Sequence, residues 1–415
     1  MKKLSLLSIL SAIILLMIAV SSCSRKEQNQ MSYRICQNTG DKVSLLGFGC
    51  MRFPFIDDGN GNEIPNQELI NEMIDAAIRG GVNYFDVAPS YMRGMNEAAI
   101  GTALSRHNRE DFFIATKMGN FSDFSFEFAK EMYEKSFRDL QVDYIDYYLL
   151  HSVGGGQGTK TFRERFLDNG VLEFLLEERK AGRIRNLGWS FHGDVAVYDT
   201  MFELGIKWDF VMIQMNYIDW QHASGRNVNA EHLYHKALEN NTQVIIMEPL
   251  LGGRLGRLCP YTQGILDEVS PGKTAAEWAF RYVGSFDNVL TILSGMNRMD
   301  HLEENLNTFS PMIPLNKAEK EALAAVTKIK TMAGYINCTG CDYCVPCPFG
   351  VDIPGILLRY NEYIRTGQDI DKNDPILQQA YECRGDACRL CEKECPQRLR
   401  IVRELRRIDS IVNSR

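Results

Sequence analysis

Eight short apolar segments alternate with longer helical patterns along this 415-residue chain, and this alternation constrains its fold most strongly. The segments are rich in aliphatic, aromatic and β-branched residues and lie at 45–51, 83–87, 112–116, 144–150, 184–189, 210–215, 244–247 and 289–293. Several are apolar almost throughout, which is typical of parallel strands buried on both faces. Between them, apolar residues recur every three or four positions, as in residues 69–78 ahead of Gly80.

Eight strand–helix units of this length predict an α/β fold, a (β/α)8 TIM barrel, over residues 33–315. An open doubly wound sheet is the alternative topology. That sheet would be expected to carry a G-x-G-x-x-G turn after its first strand, and no such turn follows residues 45–51. The barrel is therefore the prediction that the pattern favours.

The N-terminus is typical of an exported protein. Residues 1–22 begin with two lysines and continue with a long apolar run, and the sequence VSSC at 20–23 resembles a bacterial lipobox. We expect Cys23 to be lipidated and to anchor the chain in a lipid bilayer outside the cytoplasm, with residues 23–32 as a polar tether. An uncleaved membrane anchor remains open, as does a cytoplasmic protein that starts at Met31.

Polar side chains stand at the ends of three consecutive predicted strands. Asp86 closes the second, Lys117 the third and His151 the fourth, while Tyr91 follows in the loop after Asp86. Barrel enzymes place their chemistry at this carboxyl-terminal rim. A lysine held charged by a carboxylate would stabilise a phenolate and lower the pKa of the tyrosine, and an imidazole would orient a carbonyl oxygen. This set suits protonation of an alkoxide as hydride reaches a carbonyl carbon.

The motifs around these four residues carry a family resemblance. The segment GVNYFDVAPSY at 81–91, followed by Glu97, resembles the signature of the aldo-keto reductase superfamily, and ATK at 115–117 and LLH at 149–151 are similar to its next two catalytic segments. Asp86, Tyr91, Lys117 and His151 match the catalytic Asp-Tyr-Lys-His tetrad of that family. The resemblance implies a barrel reductase that binds NADP(H) across its rim.

The resemblance also implies a set of cofactor-binding residues. Ser190 and Gln214 match the positions that hold the nicotinamide carboxamide, and the full set is Ser190, Gln214, Met247, Leu250, Gly295, Arg298, Glu304 and Asn305. Three positions depart from the family: Phe191 replaces the usual asparagine, Met247 an aromatic residue, and His301 the arginine that commonly binds the 2′-phosphate. The cofactor is therefore left as NADP(H) or NAD(H).

Eight of the twelve cysteines lie in the last 80 residues. They form two spaced runs, each ending in Cys-Pro, at Cys338, Cys341, Cys344 and Cys347 and at Cys383, Cys388, Cys391 and Cys395. Such runs are typical of iron–sulfur proteins and predict two 4Fe–4S clusters, with the last cysteine of each run serving the other cluster. Zinc sites and disulfides are the alternatives. Residues 330–398 resemble the ferredoxin-type tail of a bacterial aldo-keto reductase subgroup, and 399–415 predict a terminal helix.

The predicted function is reversible hydride transfer between a nicotinamide cofactor and a small carbonyl or alcohol substrate, coupled to electron transfer through the two clusters. A redox partner protein would then exchange electrons with the tail. The alternative is an electron-transfer protein whose barrel is a scaffold with little or no nicotinamide-dependent activity. A net charge of −7 argues against nucleic acid as a partner.

Overall fold

The structure, a computed structural model, describes residues 30–223 and 229–413. The predicted signal segment and Cys23 lie outside these residues. The described chain groups into two discontinuous units. Among the described residues, the first unit contains 30–214, 229–247 and 284–313, and the second contains 215–223, 248–283 and 314–413.

The first unit is built on a closed parallel barrel. The strands of the described chain are β1 (Tyr33–Ile35), β2 (Lys42–Ser44), β3 (Leu46–Gly49), β4 (Phe55–Asp57), β5 (Glu63–Pro65), β6 (Tyr84–Asp86), β7 (Phe113–Met118), β8 (Ile145–Val153), β9 (Ile184–Phe191), β10 (Phe210–Gln214), β11 (Gln243–Met247) and β12 (Val289–Ser294). Around the barrel the order is β3, β6, β7, β8, β9, β10, β11 and β12, which pairs again with β3. Each of these eight strands begins within one residue of its predicted start, so the predicted barrel is confirmed.

Two hairpins accompany the barrel strands, and the apolar pattern of the sequence predicts neither of them. One pairs β1 with β2 and the other pairs β4 with β5, both antiparallel. Cys36 and Val43, beside and within the first hairpin, pack into one apolar cluster with the barrel residues Tyr84, Tyr147 and Phe210. The hairpin thus contributes to a core in which aromatic rings from alternate strands meet edge to face.

Helices alternate with the strands. In chain order they are α1 (Gln67–Arg79), α2 (Asn96–Leu104), α3 (Phe126–Leu140), α4 (Thr159–Phe162), α5 (Val171–Lys180), α6 (Val195–Glu203), α7 (Asp219–His222), α8 (Ala230–Glu239), α9 (Pro260–Asp267), α10 (Ala275–Gly284), α11 (Met299–Thr308), α12 (Lys317–Lys330), α13 (Ile353–Thr366), α14 (Pro375–Gln378), α15 (Leu390–Glu394) and α16 (Ile401–Val412). The Asn66 side chain caps α1 by accepting the Leu69 N–H, and the helix ends before Gly80, as its pattern predicts. Across residues 30–223 and 229–413, no helix is both long and apolar enough to cross a membrane.

In the second unit, the C-terminal residues pack around an apolar core of their own. Ile356 and Leu357 of α13 meet Leu405 and Ile408 of α16 in this core, which explains the helical spacing of the last apolar residues. Asn361 lies buried in α13 and forms two hydrogen bonds with the backbone of Ile336, accepting at 2.8 Å and donating at 2.5 Å. The amide therefore fixes the segment that leads into the first cysteine run.

Candidate active site

A buried ion pair lies at the carboxyl ends of two neighbouring barrel strands. Asp86 ends β6 and Lys117 lies near the end of β7. The Lys117 Nζ donates to Asp86 Oδ1 and to the Val87 carbonyl oxygen, both at 2.7 Å. The two side chains are only 1% and 5% exposed. Burial disfavours the ammonium, but the Asp86 carboxylate and the Tyr91 phenol outweigh it, so the pKa of Lys117 is raised and the amine stays charged.

A left-handed turn brings Tyr91 to this pair. Met92 and Arg93 have φ values of 49° and 57°, a conformation that L-residues other than glycine rarely adopt. Asn96 anchors the loop, because its amide donates to the Cys50 carbonyl at 2.8 Å and accepts the Ala88 N–H at 3.3 Å. The Lys117 Nζ consequently lies 4.8 Å from the centre of the Tyr91 ring.

The pKa of the Tyr91 phenol is raised, whereas the sequence predicts that it is lowered. Burial raises its pKa, and the Lys117 charge lowers it by less, so the net pKa is above 10.0. The expected effect of Lys117 is therefore present but smaller than that of burial. At neutral pH the phenol carries its proton, which is the form that donates to an alkoxide.

His151 completes the group from strand β8. Its ring centre lies 6.0 Å from that of Tyr91, with the planes nearly perpendicular. The side chain is 8% exposed, and its Nδ1 has no hydrogen-bond partner among the described residues. Burial, with the charges of Lys117 and Arg165, holds the pKa of His151 well below 6.5. The imidazole is neutral at physiological pH, so one ring nitrogen can donate a hydrogen bond.

Glu97, which follows the motif at 81–91, forms a buried hydrogen bond with strand β7. Its carboxyl group accepts a 2.6 Å hydrogen bond from the hydroxyl of Thr116, the residue before Lys117. Glu97 is 2% exposed, and burial raises its pKa to about 7. The hydrogen bond joins helix α2, which contains Glu97, to strand β7 at the residue before Lys117, and Glu97 itself is buried away from solvent.

Two residues near His151 were missed by the sequence analysis. The Phe121 ring lies 5.0 Å from the imidazole, and the Arg165 guanidinium lies 4.4 Å from the centre of the Phe121 ring. Arg165 is 3% exposed and donates a 3.3 Å hydrogen bond to Asn120 Oδ1, and its Nε has no hydrogen-bond partner within 30–223 and 229–413. It lies far from any strand end in the sequence, so no local signal pointed to it.

Four of the predicted cofactor residues lie at the ends of the next four strands around the barrel. Ser190, Gln214, Met247 and Gly295 stand at or directly after the ends of β9, β10, β11 and β12. Gln214 pairs in register with Met247. The Ser190 Oγ accepts the Ser152 N–H at 2.9 Å, which leaves its own proton available to a carboxamide oxygen. The Ser190 hydroxyl is therefore a hydrogen-bond donor suited to the carboxamide of a nicotinamide.

The remaining predicted cofactor residues have varied surroundings. Asn305 is buried and donates to the Ser294 Oγ at 2.8 Å, while Glu304 of the same helix is half-buried. Arg298 forms an exposed ion pair with Asp300, close to the exposed His301. Leu250 belongs to the second unit, where it packs against an apolar cluster that includes Leu255 and Trp278.

The departure at Phe191 has a packing role. Its side chain is buried, and its ring centre lies 4.9 Å from that of Tyr198. The residue therefore contributes to the core at the end of β9.

The eight tail cysteines surround two cavities in the second unit. One is lined by Cys338, Cys341, Cys344 and Cys395, and the other by Cys344, Cys347, Cys383, Cys388 and Cys391. The eleven cysteines of the described ranges are free thiols. No group of three or more Cys, His, Asp or Glu side chains in these ranges is arranged so that it could hold a metal ion.

Comparison with known proteins places the barrel sequence in a family. The family model described as "Aldo/keto reductase family" matches residues 45–258. The uncharacterized oxidoreductase YqkF of Bacillus subtilis is 26% identical over 309 residues, 69% of this chain and 93% of that protein. An aldo-keto reductase of Mycolicibacterium paratuberculosis is 31% identical over 278 residues, 66% of this chain and 84% of that protein.

Solved structures show the same fold. The holo form of aldo-keto reductase AKR11C1 from Bacillus halodurans superposes with a TM-score of 0.56 and 25% identity, over 72% of this chain and 96% of that one. An aldo-keto reductase from Klebsiella pneumoniae, solved in complex with NADPH, gives a TM-score of 0.55 at 19% identity, over 72% of this chain and 95% of that one.

Proposed function

The chain belongs to the aldo/keto reductase family of oxidoreductases, and we propose that its barrel transfers hydride reversibly between a nicotinamide cofactor and a carbonyl or alcohol substrate. The observation that carries this proposal is the buried Lys117–Asp86 pair beneath Tyr91, with a neutral His151 facing the same phenol. These four groups supply a proton, a fixed positive charge and a hydrogen-bond donor at one end of the barrel.

The roles of the four residues follow from their surroundings. The Tyr91 phenol donates its proton to the alkoxide oxygen, and its phenolate is stabilised by the Lys117 ammonium. Asp86 keeps that ammonium charged and immobile. His151 donates a hydrogen bond that orients the carbonyl oxygen before the proton moves. In the oxidative direction the phenolate accepts the proton from the alcohol.

A nicotinamide cofactor supplies the hydride when it is bound. Ser190 and Gln214 would hold its carboxamide, Met247 would contact its ring, and Gly295 and the start of α11 would face the rest of the molecule. The NADPH complex of the Klebsiella relative, together with the Ser190 hydroxyl left free to donate, supports this proposal. With Arg298 paired to Asp300 and His301 exposed, the proposal includes both NADP(H) and NAD(H).

A Tyr91→Phe variant tests the barrel chemistry. Removing the hydroxyl should lower kcat for carbonyl reduction by roughly 10²- to 10⁴-fold and leave cofactor binding intact. The control is Tyr381→Phe, because Tyr381 is 63% exposed and lies in the tail. Full activity of Tyr91→Phe would refute the mechanism. Failure of the wild-type protein to bind either NADPH or NADH would favour the alternative of a scaffold barrel.

We also propose that the tail holds two 4Fe–4S clusters, which would exchange single electrons with a redox partner protein. The support is the division of the cysteines between two cavities. Cys344 lines both cavities, and if it is assigned only to the cavity of Cys338, each cavity has four cysteines. The last cysteine of each run then lies with the cysteines of the other run. The ligand sets would be Cys338, Cys341, Cys344 and Cys395, and Cys347, Cys383, Cys388 and Cys391.

Iron and sulfide analysis of anaerobically purified protein tests the cluster proposal. Two clusters would give roughly eight irons per chain, and Cys341→Ser should leave roughly four. Cys259→Ser is the control, because Cys259 is buried in the second unit and lines neither cysteine cavity. Stoichiometric zinc, or protein without metal after anaerobic reconstitution, would contradict the proposal.

A further inference from the structure

A cavity of about 610 Å³ in the second unit is lined by an excess of positive charge. Six cations contribute to its wall, namely Arg254, Lys330, Arg398, Arg400, Arg403 and Arg407. Glu404 is the single carboxylate among the lining residues. The volume lies within the usual range for small-molecule sites, roughly 300–1,000 Å³.

The carboxylate leaves most of this charge unbalanced. Glu404 pairs with Arg403 at 2.7 Å and with Arg407 at 2.9 Å. Lys330, Arg398 and Arg400 have no carboxylate within ion-pair distance in the described part of the chain. Burial, helped by the Arg254 charge, lowers the pKa of Lys330 to about 8, so the ammonium is held in a place that disfavours it. A bound anion would relieve this repulsion.

The rest of the wall is suited to an organic molecule. Leu255 and Ile336 are buried apolar residues, and the Tyr335 ring also lines the cavity. Gln397 is 5% exposed, and its Oε1 has no hydrogen-bond partner among the described residues. A ligand hydroxyl or N–H that donates to this oxygen would satisfy it. The cavity thus combines positively charged side chains, an apolar wall and an unpaired hydrogen-bond acceptor, the Gln397 Oε1.

From these contacts we infer that the cavity binds a phosphorylated, hydroxyl-bearing small molecule of mononucleotide size. The guanidinium and ammonium groups would hold the phosphate, and the apolar wall and Gln397 would contact the organic part. None of the lining residues belongs to the set predicted to hold the nicotinamide cofactor, although Leu251 directly follows Leu250 of that set. Gln397 and Leu399 also line the cavity of Cys338, Cys341, Cys344 and Cys395, so the ligand would lie beside that cysteine group.

Binding of two matched probe pairs to the full chain tests this inference. FMN is compared with riboflavin and AMP with adenosine by calorimetry, since each pair differs by one phosphate. We expect at least one phosphorylated probe to bind about tenfold or more tightly than its partner, in line with charge-assisted hydrogen bonds to phosphate. The pair that shows this difference identifies the organic part that the site accepts.

Charge-removing variants connect the binding to this cavity. Lys330→Gln and Arg400→Gln should each weaken the phosphorylated probe about tenfold. Lys328→Gln is the matched control, because Lys328 is exposed on the same helix α12 and does not line the cavity. NADPH affinity should be unchanged in all three variants.

Three results would overturn the inference: no preference for either phosphorylated probe, equal weakening by Lys328→Gln and Lys330→Gln, or parallel loss of NADPH binding. Probe binding requires no hydride transfer, so these results are distinguishable from failure of the proposed barrel chemistry.

Discussion

The Asp86→Asn substitution removes the carboxylate that accepts a hydrogen bond from the Lys117 ammonium at 2.7 Å. Both side chains are at most 5% exposed, so water cannot solvate the ammonium that is left without its counter-charge. Removing one member of a buried ion pair costs about 3–5 kcal/mol. We expect the lower end, about 3 kcal/mol, because the Val87 carbonyl still accepts from Lys117. At roughly 2–4 °C per kcal/mol, the melting temperature should fall by roughly 6–12 °C.

The double variant Asp86→Asn/Lys117→Met separates stability from activity. It removes both charges, so no uncompensated charge remains, and stability should return to within about 1 kcal/mol of wild type. Carbonyl reduction should stay impaired, because the phenolate of Tyr91 loses its stabilising cation. Thermal unfolding followed by circular dichroism, and steady-state kinetics on the same samples, measure the two effects. If the double variant is as unstable as the sum of the single variants, the two side chains do not form the buried pair.

Three further predictions concern other parts of the chain. The pKa of Glu97 is about 7 in the folded state against an ordinary value of 4.5, so the folded state loses about 3 kcal/mol of stability as the pH rises from 4.5 to 7. The Glu97→Gln variant should not show this loss when its unfolding is measured at pH 5 and pH 8. Asn361→Ala leaves the buried N–H and carbonyl groups of Ile336 without partners and should lower the free energy of unfolding by about 2–5 kcal/mol. Asn373→Ala, at an exposed position, should leave the free energy of unfolding unchanged. Cys23→Ser should abolish incorporation of labelled palmitate in a bacterial host, and retained labelling would exclude Cys23 as the lipidated residue.

The sequence alone was sufficient to locate the barrel strands and the residues at their ends. Strands buried on both faces must be apolar almost throughout, so each produces a short run that local composition reveals. Asp86 and Lys117 then follow from their places at the ends of β6 and β7, since parallel strands bring their carboxyl ends to one rim. The short hairpins β1–β2 and β4–β5 lack such runs and were not found.

Tertiary structure alone decided the electrostatics and the long-range groupings. Whether burial or Lys117 dominates the pKa of Tyr91 depends on how much water the folded loop excludes, and no spacing in the chain encodes that quantity. The sequence also does not encode the contact of Arg165 with Phe121 or the grouping of cations around the cavity near Gln397. The residues in each of these groups come from distant segments of the chain. Local sequence reports the pattern of a strand or helix, whereas the environment of a side chain depends on everything the fold packs around it.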